Sequence, residues 1–417
     1  IKLTIVQKVV MMELLNGGQN EGGVILLVLG VFIISVLVLV LFSVGLLIKG
    51  VLYLFNRFRG RQVLFATKGV RRSLLGMLIV LVLGIVLIMF TQLTAATPKI
   101  AKENSIAELR KVELNGRKEW ISIRGEDRSK PVLLFLAGGP GGSQLAATRY
   151  ELAKLEKDFI VVNWEQPGSG KSYSAIPRKK LAPEIYVEDG TALVRSLLKE
   201  FKQEKLYLLG ESWGSALGIF MVKEQPELYH TFIGTGQMVA FEETEKIDYA
   251  LAMKLAKENG DQKVVDTLRK NGEPPYYGNS VTTKSATYLN YLSQTIAGNP
   301  EIQNGGFQTM RDLAAKEYGI LDKINYLRGI LQTFNHVYPQ LYNVDLRKEY
   351  STLDIPVYFL LGKHDINAPL SLTEDYYQKL DAPNKEIIWF EHSGHNPWIN
   401  EPERFVEAVQ QIAENKK

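Results

Sequence analysis

Two long apolar runs near the start of the chain stand apart from the short apolar segments that follow. Every residue from Val24 to Ile48 is apolar apart from glycine and serine, and a second apolar run extends from Leu74 to Leu93. At about 1.5 Å per residue, helices of this length match a hydrocarbon core of about 30 Å. A core helix of a soluble protein would keep a polar face. The pattern therefore predicts transmembrane helices at 24–48 and 74–93, preceded by an N-terminal segment (1–23).

The loop between these runs, residues 49–73, is basic and contains no acidic residue. Its basic residues are Lys49, Arg57, Arg59, Arg61, Lys68, Arg71 and Arg72. Because positive residues in short loops resist translocation, we expect the loop in the cytoplasm and both flanking segments outside it. This predicts a multi-pass protein of the cell membrane with its large C-terminal part extracytoplasmic. The alternatives are a single anchor with that part inside, and a signal peptide that is cleaved near Ala96.

Past Pro98, short apolar segments alternate with stretches of helical periodicity. The predicted strands are Ile106–Val112, Trp120–Ile123, Val132–Leu136, Ile160–Trp164, Leu206–Leu209, Thr231–Ile233, Val357–Leu361 and Ile387–Phe390. Helical spacing of apolar residues marks Tyr186–Phe201 and Glu403–Ala413. Alternation of this kind is typical of an α/β fold, in which helices cover both faces of a mostly parallel sheet.

The strand pattern disappears between Phe241 and Tyr350. This stretch is rich in Lys, Glu, Tyr and Asn and shows helical periodicity, with turn-like pieces at 271–275 and 298–300. We interpret residues 241–350 as a helical cap inserted into a sheet domain that is formed by residues 94–240 and 351–417. Its place in the chain would allow it to roof an active site.

Composition and charge narrow the functional classes. A net charge of +4 over 417 residues is too small to predict nucleic-acid binding. The absence of cysteine excludes disulfides, thiolate metal sites and a cysteine nucleophile. The segment from Gly168 to Ser172 has a Gly-Lys-Ser sequence but lacks the earlier glycine of a phosphate loop, so we do not expect nucleotide binding.

The strongest chemical signal is Gly210-Glu211-Ser212-Trp213-Gly214, which follows a predicted strand and precedes a helix-like run. A nucleophile on a sharp strand-to-helix turn needs small residues on both sides, because side chains there would collide across the turn. Because the motif is short, the prediction that Ser212 is a nucleophile rests on the strand before it and the helix-like run after it.

A serine nucleophile requires a histidine base and an acid that holds the histidine in the right tautomer. In a sheet of this kind, the acid follows a late strand and the histidine follows the last strand. Asp365 and His395 occupy those positions, in the order Ser, Asp, His. The rival acid Asp354 precedes its strand, and the rival base His392 lies nearer the strand end.

Acyl transfer also requires N–H donors aimed at the developing oxyanion. The glycine-rich turn from Ala137 to Gly142 follows an early strand, where the fold brings it opposite the nucleophile. We therefore predict that the amides of Gly139 and Trp213 form an oxyanion hole. The alternative is that this segment is a plain tight loop.

Four motifs in this order resemble the proline iminopeptidase branch of the α/β-hydrolases. They are Leu-Ala-Gly-Gly-Pro-Gly-Gly (136–142), Trp-Glu-Gln-Pro-Gly-Ser-Gly-Lys-Ser (164–172), Gly-Glu-Ser-Trp-Gly-Ser (210–215) and Ser-Gly-His (393–395). The resemblance covers about Lys111–Phe241 and Ile355–Val409. It implies a cap domain, no metal, no cofactor and hydrolysis of an N-terminal residue, typically proline, from a peptide.

The chain departs from that branch at several positions. Ala137 stands where the branch usually has histidine, and Glu165 and Pro167 replace an Asp and an Arg. Such aminopeptidases hold the substrate amine with cap carboxylates. Glu242 and Glu243, with Glu245, are the candidates for that role here, and a solvated helix face is the alternative.

These observations predict a membrane-anchored serine hydrolase that forms an acyl-Ser212 intermediate, with a peptide or small molecule as substrate and the lipid bilayer as its other partner. A peptidase or aminopeptidase is the leading hypothesis. A carboxylesterase or lipase is the second, since the same triad cleaves esters. A non-catalytic binding protein with a hydrolase fold is the third.

Overall fold

The computed structural model describes residues 21–61 and 67–414. These residues divide into two compact units. The first consists of the described residues up to Ala95 with Ala314–Leu321, and the second consists of Ala96–Leu313 with the described residues from Asp322 onwards. The predicted N-terminal segment 1–23 lies largely outside the described residues.

The first unit contains two long helices, α1 (Glu21–Phe58) and α2 (Thr67–Thr94). Their segments Ile33–Phe58 and Gly69–Thr94 are long and apolar enough to cross a membrane, and most of their large apolar side chains are exposed. Both helices extend beyond the predicted runs into the basic segment between them. Lysine and arginine are good helix formers, so the end of an apolar run need not end the helix. The helix α1 ends where Gly60 adopts a φ of +70°.

The second unit is built on an eight-stranded sheet, which confirms the predicted α/β architecture. The strands are β1 (Ile106–Leu114), β2 (Arg117–Gly125), β3 (Val132–Leu136), β4 (Ile160–Glu165), β5 (Leu206–Glu211), β6 (Tyr229–Thr235), β7 (Val357–Gly362) and β8 (Lys385–Phe390). Their order across the sheet is β1-β2-β4-β3-β5-β6-β7-β8. The strand β2 pairs antiparallel with β1 and β4, and all other pairs are parallel.

Thirteen helices follow α1 and α2 in the described chain, in addition to short 3-10 turns and one π turn. They are α3 (Leu145–Glu151), α4 (Pro183–Phe201), α5 (Trp213–Glu224), α6 (Phe241–Glu258), α7 (Gln262–Asn271), α8 (Val281–Ala297), α9 (Thr309–Ala314), α10 (Ile320–Arg328), α11 (Phe334–Val337), α12 (Leu346–Glu349), α13 (Leu370–Lys379), α14 (Pro397–Asn400) and α15 (Pro402–Glu414).

The central strands are buried on both faces, and alternate side chains enter different cores. In β3, Leu134 and Leu136 belong to the larger hydrophobic cluster, whereas Leu133 and Phe135 belong to a second cluster on the opposite face. Successive side chains of a strand point to opposite faces, so a strand in the middle of a two-sided sheet is apolar at every position. This explains why β3 appears in the sequence as an uninterrupted apolar run.

Helices replace strands between β6 and β7, in a segment that the structure describes in full. Helices α6 to α12 lie there, and the only β pairings of this segment are two isolated bridges, between Ala240 and Asp345 and between Thr352 and Asp381. Tyr249, Leu268, Tyr288 and Leu292 form the centre of a separate hydrophobic cluster. We call residues 241–349 the helical insertion.

The carboxyl ends of the parallel strands bring the predicted chemical residues to one edge of the sheet. Ser212 follows β5, Asp365 follows β7 and His395 follows β8. In open α/β sheets, ligands bind at this edge. The candidate site therefore lies among the loops that follow these strands.

Candidate active site

Ser212 occupies a sharp turn between β5 and α5, in a backbone conformation with φ of 52° and ψ of −119°. The turn brings backbone segments so close together that side chains cannot fit between them. A Cβ atom on Gly210 would lie 2.2 Å from the Gly214 carbonyl oxygen, and one on Gly214 would lie 2.1 Å from the Leu136 oxygen. The glycines on both sides of Ser212 thus meet a steric requirement.

His395 and Asp365 are hydrogen-bonded to each other. The Nδ1 atom of His395 lies 2.9 Å from Oδ2 and 3.1 Å from Oδ1 of Asp365. The Asp365 Oδ1 atom also accepts the backbone N–H groups of Asn367 and Ala368, at 2.9 and 3.0 Å. The carboxylate is therefore held in one orientation and can fix the tautomer of the imidazole.

Burial lowers the pKa of His395, but the charge and hydrogen bond of Asp365, together with the charge of Glu211, outweigh that effect. The net result raises the pKa of His395 to about 9. The cause is that two carboxylates stabilise the imidazolium in a site from which water is largely excluded.

The Ser212 hydroxyl and His395 are not hydrogen-bonded in the part of the chain that the structure describes. The Nε2 atom of His395 instead lies 3.8 Å from Oε1 of Glu211, the residue directly before Ser212. Such contacts are often long in free enzymes and tighten when substrate binds. The structure therefore brings Asp365 and His395 together, with Ser212 adjacent but not yet bonded to the base.

Glu211 is a buried acid that the sequence analysis did not single out. Its Oε2 atom accepts a hydrogen bond from the Gln144 side-chain N–H at 2.8 Å, and the Gln144 side-chain oxygen Oε1 accepts one from the Gly138 backbone N–H at 3.1 Å. Burial raises the pKa of Glu211, and the charge of His395 opposes this. The only signal in the sequence was an acidic residue directly beside the candidate nucleophile.

The predicted oxyanion donors lie in the glycine-rich turn and at the start of α5. Gly139 has a φ of +139°. The backbone N–H groups of Gly139 and Trp213 donate to no acceptor among residues 21–61 and 67–414. Uncommitted amides are what an oxyanion hole requires.

Gln166, which belongs to the motif 164–172, connects the glycine-rich turn (137–142) to the start of α5. Its side-chain amide donates to the Ala137 carbonyl oxygen at 3.0 Å. Its carbonyl oxygen accepts the Trp213 indole N–H at 2.9 Å. The end of β4 therefore positions both segments that carry the candidate oxyanion donors.

Helix α6 of the insertion carries two buried carboxylic acids, Glu245 and Asp248. Glu245 accepts hydrogen bonds from Tyr338 at 3.0 Å and Ser285 at 3.2 Å, and also from Tyr288. Neither carboxylate oxygen of Asp248 has a hydrogen-bond partner in the described chain. Burial, followed by the charges of Glu245 and Asp365, raises the pKa of Asp248 well above its usual range.

Glu242 and Glu243, the predicted substrate-binding residues, lie elsewhere on the same helix. Glu242 forms an ion pair with Lys246, and Glu243 forms one with Arg347. Their side chains are 37% and 48% exposed. No contact of either residue with Ser212, Asp365 or His395 occurs within the described ranges, because helical periodicity directs them away from the buried face.

The rival base His392 turns towards the insertion, where its Nδ1 atom lies 3.0 Å from the Glu301 carbonyl oxygen. His364, which follows β7, lies 3.2 Å from the Asn299 amide and 3.1 Å from the Glu391 carbonyl oxygen. Among the described residues, only His395 is hydrogen-bonded to Asp365. No cluster of potential metal ligands occurs in that part of the chain.

Comparisons with known proteins agree with this architecture. Residues 131–402 match the family model described as the alpha/beta hydrolase fold. A probable aminopeptidase, YbaC, of Bacillus subtilis (strain 168) is 30% identical, and the match covers 75% of this chain and 98% of that protein. A proline iminopeptidase of Heyndrickxia coagulans is 24% identical, with coverage of 72% and 96%.

Solved structures show the same fold. The crystal structure of a proline iminopeptidase from Mycobacterium smegmatis aligns with a TM-score of 0.52 and 17% identity, covering 74% of this chain and 98% of that one. A bacterial membrane phospholipase A aligns with a TM-score of 0.53 and 15% identity over 83% of this chain and 98% of that one. From its family match, its relatives and its sheet, this chain belongs to the α/β-hydrolase family and is a hydrolase.

Proposed function

We propose that the chain is a serine aminopeptidase that removes the N-terminal residue of a peptide, as its resemblance to proline iminopeptidases suggests. The observation that carries this proposal is the Asp248 carboxyl group. It is fully buried in the helical insertion and has no hydrogen-bond partner among the described residues. A buried polar group without a partner is costly, and such a cost is commonly offset by a ligand.

Ser212 is the proposed nucleophile, and His395 its base. The Ser212 Oγ atom attacks the carbonyl carbon of the first peptide bond while His395 Nε2 takes the hydroxyl proton. The N–H groups of Gly139 and Trp213 stabilise the oxyanion, and Asp365 stabilises the imidazolium. The imidazolium then protonates the departing amine, and water releases the acyl group by the same steps.

Asp248 and Glu245 are the proposed recognition site for the substrate ammonium group. The charge of Asp365 influences Asp248, which is consistent with a position close to the reacting bond. Burial raises the pKa of both acids, and the charge of Glu245 raises the pKa of Asp248 further. A bound ammonium group reverses this balance, because it stabilises the carboxylate form and supplies its missing partner.

We also propose that α1 and α2 anchor the enzyme in the cell membrane with the hydrolase unit on the extracytoplasmic side. Support comes from the length and apolar surface of the two helices and from the basic segment between them. The chain has no cysteine, so a Thr267→Cys variant provides one labelling site on an exposed turn of α7. A membrane-impermeant maleimide should label it in intact cells, and labelling only after lysis would reverse this topology.

The first prediction concerns the nucleophile and its acid. Ser212→Ala should abolish labelling by a fluorophosphonate probe, whereas the exposed Ser174→Ala should leave labelling unchanged. Asp365→Asn should lower turnover about 10³- to 10⁴-fold, because His395 loses control of its tautomer. Full labelling of Ser212→Ala would show that the reactive serine lies elsewhere.

The second prediction concerns pH. Catalysis needs neutral His395, and its raised pKa means that kcat/KM should climb with increasing pH and reach half of its plateau near pH 9. Glu211→Gln removes one of the charges that raise this pKa, so the midpoint should move to lower pH. An N-acylated ester substrate avoids titration of the substrate amine. Equal midpoints near the ordinary histidine value of about 6.5 in both proteins would contradict the assignment.

The third prediction distinguishes an aminopeptidase from an esterase. Asp248→Asn should lower kcat/KM by about 10- to 100-fold for aminoacyl arylamides with a free amine, since a charge-assisted hydrogen bond is lost. It should leave N-acetylated esters nearly unchanged. Glu242→Gln, on the same helix but partly exposed, is the matched control. An equal loss on both substrate classes would argue against amine recognition and leave a carboxylesterase as the better description.

A further inference from the structure

One helix of the insertion exposes several apolar residues and buries two charged ones. It comprises α10 (Ile320–Arg328) and the π-helical turn Gly329–Thr333 that continues it. The exposed apolar side chains are Ile324 (42%), Leu327 (50%), Ile330 (39%) and Leu331 (50%). Asp322 and Lys323, in contrast, are buried. A helix on a water-exposed surface normally shows the reverse arrangement.

The buried contacts of this helix fix its rotation. Asp322 accepts a hydrogen bond from Lys171 Nζ at 2.6 Å, and both side chains are nearly inaccessible to solvent. Tyr326, one turn further on, is also buried. Rolling the helix to hide Leu327 would expose Tyr326 and separate a buried ion pair, which is strongly unfavourable. The buried contacts of the helix therefore keep its apolar face on the surface.

Basic residues border the apolar face. Arg328 lies over the Tyr173 ring, with its guanidinium carbon 4.4 Å from the ring centre. Arg178 is hydrogen-bonded to Gln332, and Arg178, Lys179 and Lys180 are all exposed. Tyr173, Arg178, Arg328 and Gln332 line a cavity of about 420 Å³ that opens beside the helix. An exposed apolar stripe with an adjoining basic cavity suits an anionic interface.

We propose that this face of the insertion binds the surface of an anionic phospholipid bilayer. Ile324, Leu327 and Leu331 enter the boundary between headgroups and acyl chains, while Arg178 and Arg328 contact lipid phosphates. The inference concerns membrane contact and does not depend on the proposed peptidase activity. We call residues 324–331 with 178–180 the interfacial face.

Two observations favour a bilayer over other occupants. The segment Ala314–Leu321, which ends in the first two residues of α10, groups with the two apolar helices, and within that unit the Ile320 amide donates to Thr91 Oγ1 at 3.2 Å. In addition, a symmetric dimer through this face would bring the same basic residues of two copies together, which is electrostatically unfavourable. An anionic lipid surface complements both the apolar and the basic parts.

Lipid contact can be measured at single sites because the chain has no cysteine. An environment-sensitive fluorophore is attached to the full chain at Leu327→Cys or, as a second reporter, at Ile324→Cys. The labelled protein is reconstituted into nanodiscs that contain phosphatidylglycerol and a lipid with a nitroxide at shallow depth. Thr267→Cys is the control. Both reporters should show blue-shifted emission and several-fold stronger nitroxide quenching than the control. Quenching equal to that of the control would overturn the proposal.

Two further experiments test whether the basic residues recognise anionic lipid and whether a second copy of the chain covers this face instead. The triple variant Arg178→Gln, Lys179→Gln, Lys180→Gln should lose most of the excess quenching at position 327, and added salt should have the same effect. Unchanged quenching would contradict recognition of anionic lipid. Shielding of position 327 that occurs only in nanodiscs containing two copies would identify a second chain as the occupant and also overturn the proposal.

Discussion

The tight turn at Ser212 is the constraint on which the rest of the hydrolase unit depends. It holds a non-glycine residue at a positive φ, which costs conformational energy and persists only where the surroundings enforce it. The Ser212 N–H donates to the Thr235 carbonyl oxygen at 3.0 Å, and α5 begins immediately afterwards. Gly210 and Gly214 permit the backbone approach. The turn therefore requires β3, β5 and β6 to keep their register, since all three surround it.

Several acidic side chains lie near this turn, and the burial of two of them disfavours their ionised form. Glu211 beside the candidate nucleophile and Asp248 on the insertion are both buried, and burial raises the pKa of each. The Asp365 carboxylate, in contrast, accepts two backbone N–H groups and is hydrogen-bonded to His395. These partners hold it in the orientation that is needed to stabilise the His395 imidazolium during turnover. The unpartnered acid is better suited to receiving a cationic group from a substrate.

The sheet and the positions of Ser212, Asp365 and His395 at strand ends could be predicted, because parallel strands produce apolar runs and their carboxyl ends share one edge. The prediction was weaker where tertiary packing decides. On α6, Glu242, Glu243 and Glu245 were the candidates for binding an amine, but of these only Glu245 lies on the buried face, together with Asp248. Which face of a helix is buried depends on neighbours distant in the chain. The same holds for α10, on which Asp322 points inwards and accepts a hydrogen bond from Lys171.

In the proposed function, a buried acid on the insertion selects substrates with a free amine for attack by Ser212. The most direct measurement uses two diphenyl phosphonates that mimic an N-terminal residue, one with a free amine and one N-acetylated, and locates the adduct by peptide mass spectrometry. We expect that both compounds modify Ser212, that the compound with a free amine reacts much faster, and that Asp248→Asn removes this difference. An adduct on another residue, or equal rates for the two phosphonates in the unaltered protein, would contradict it.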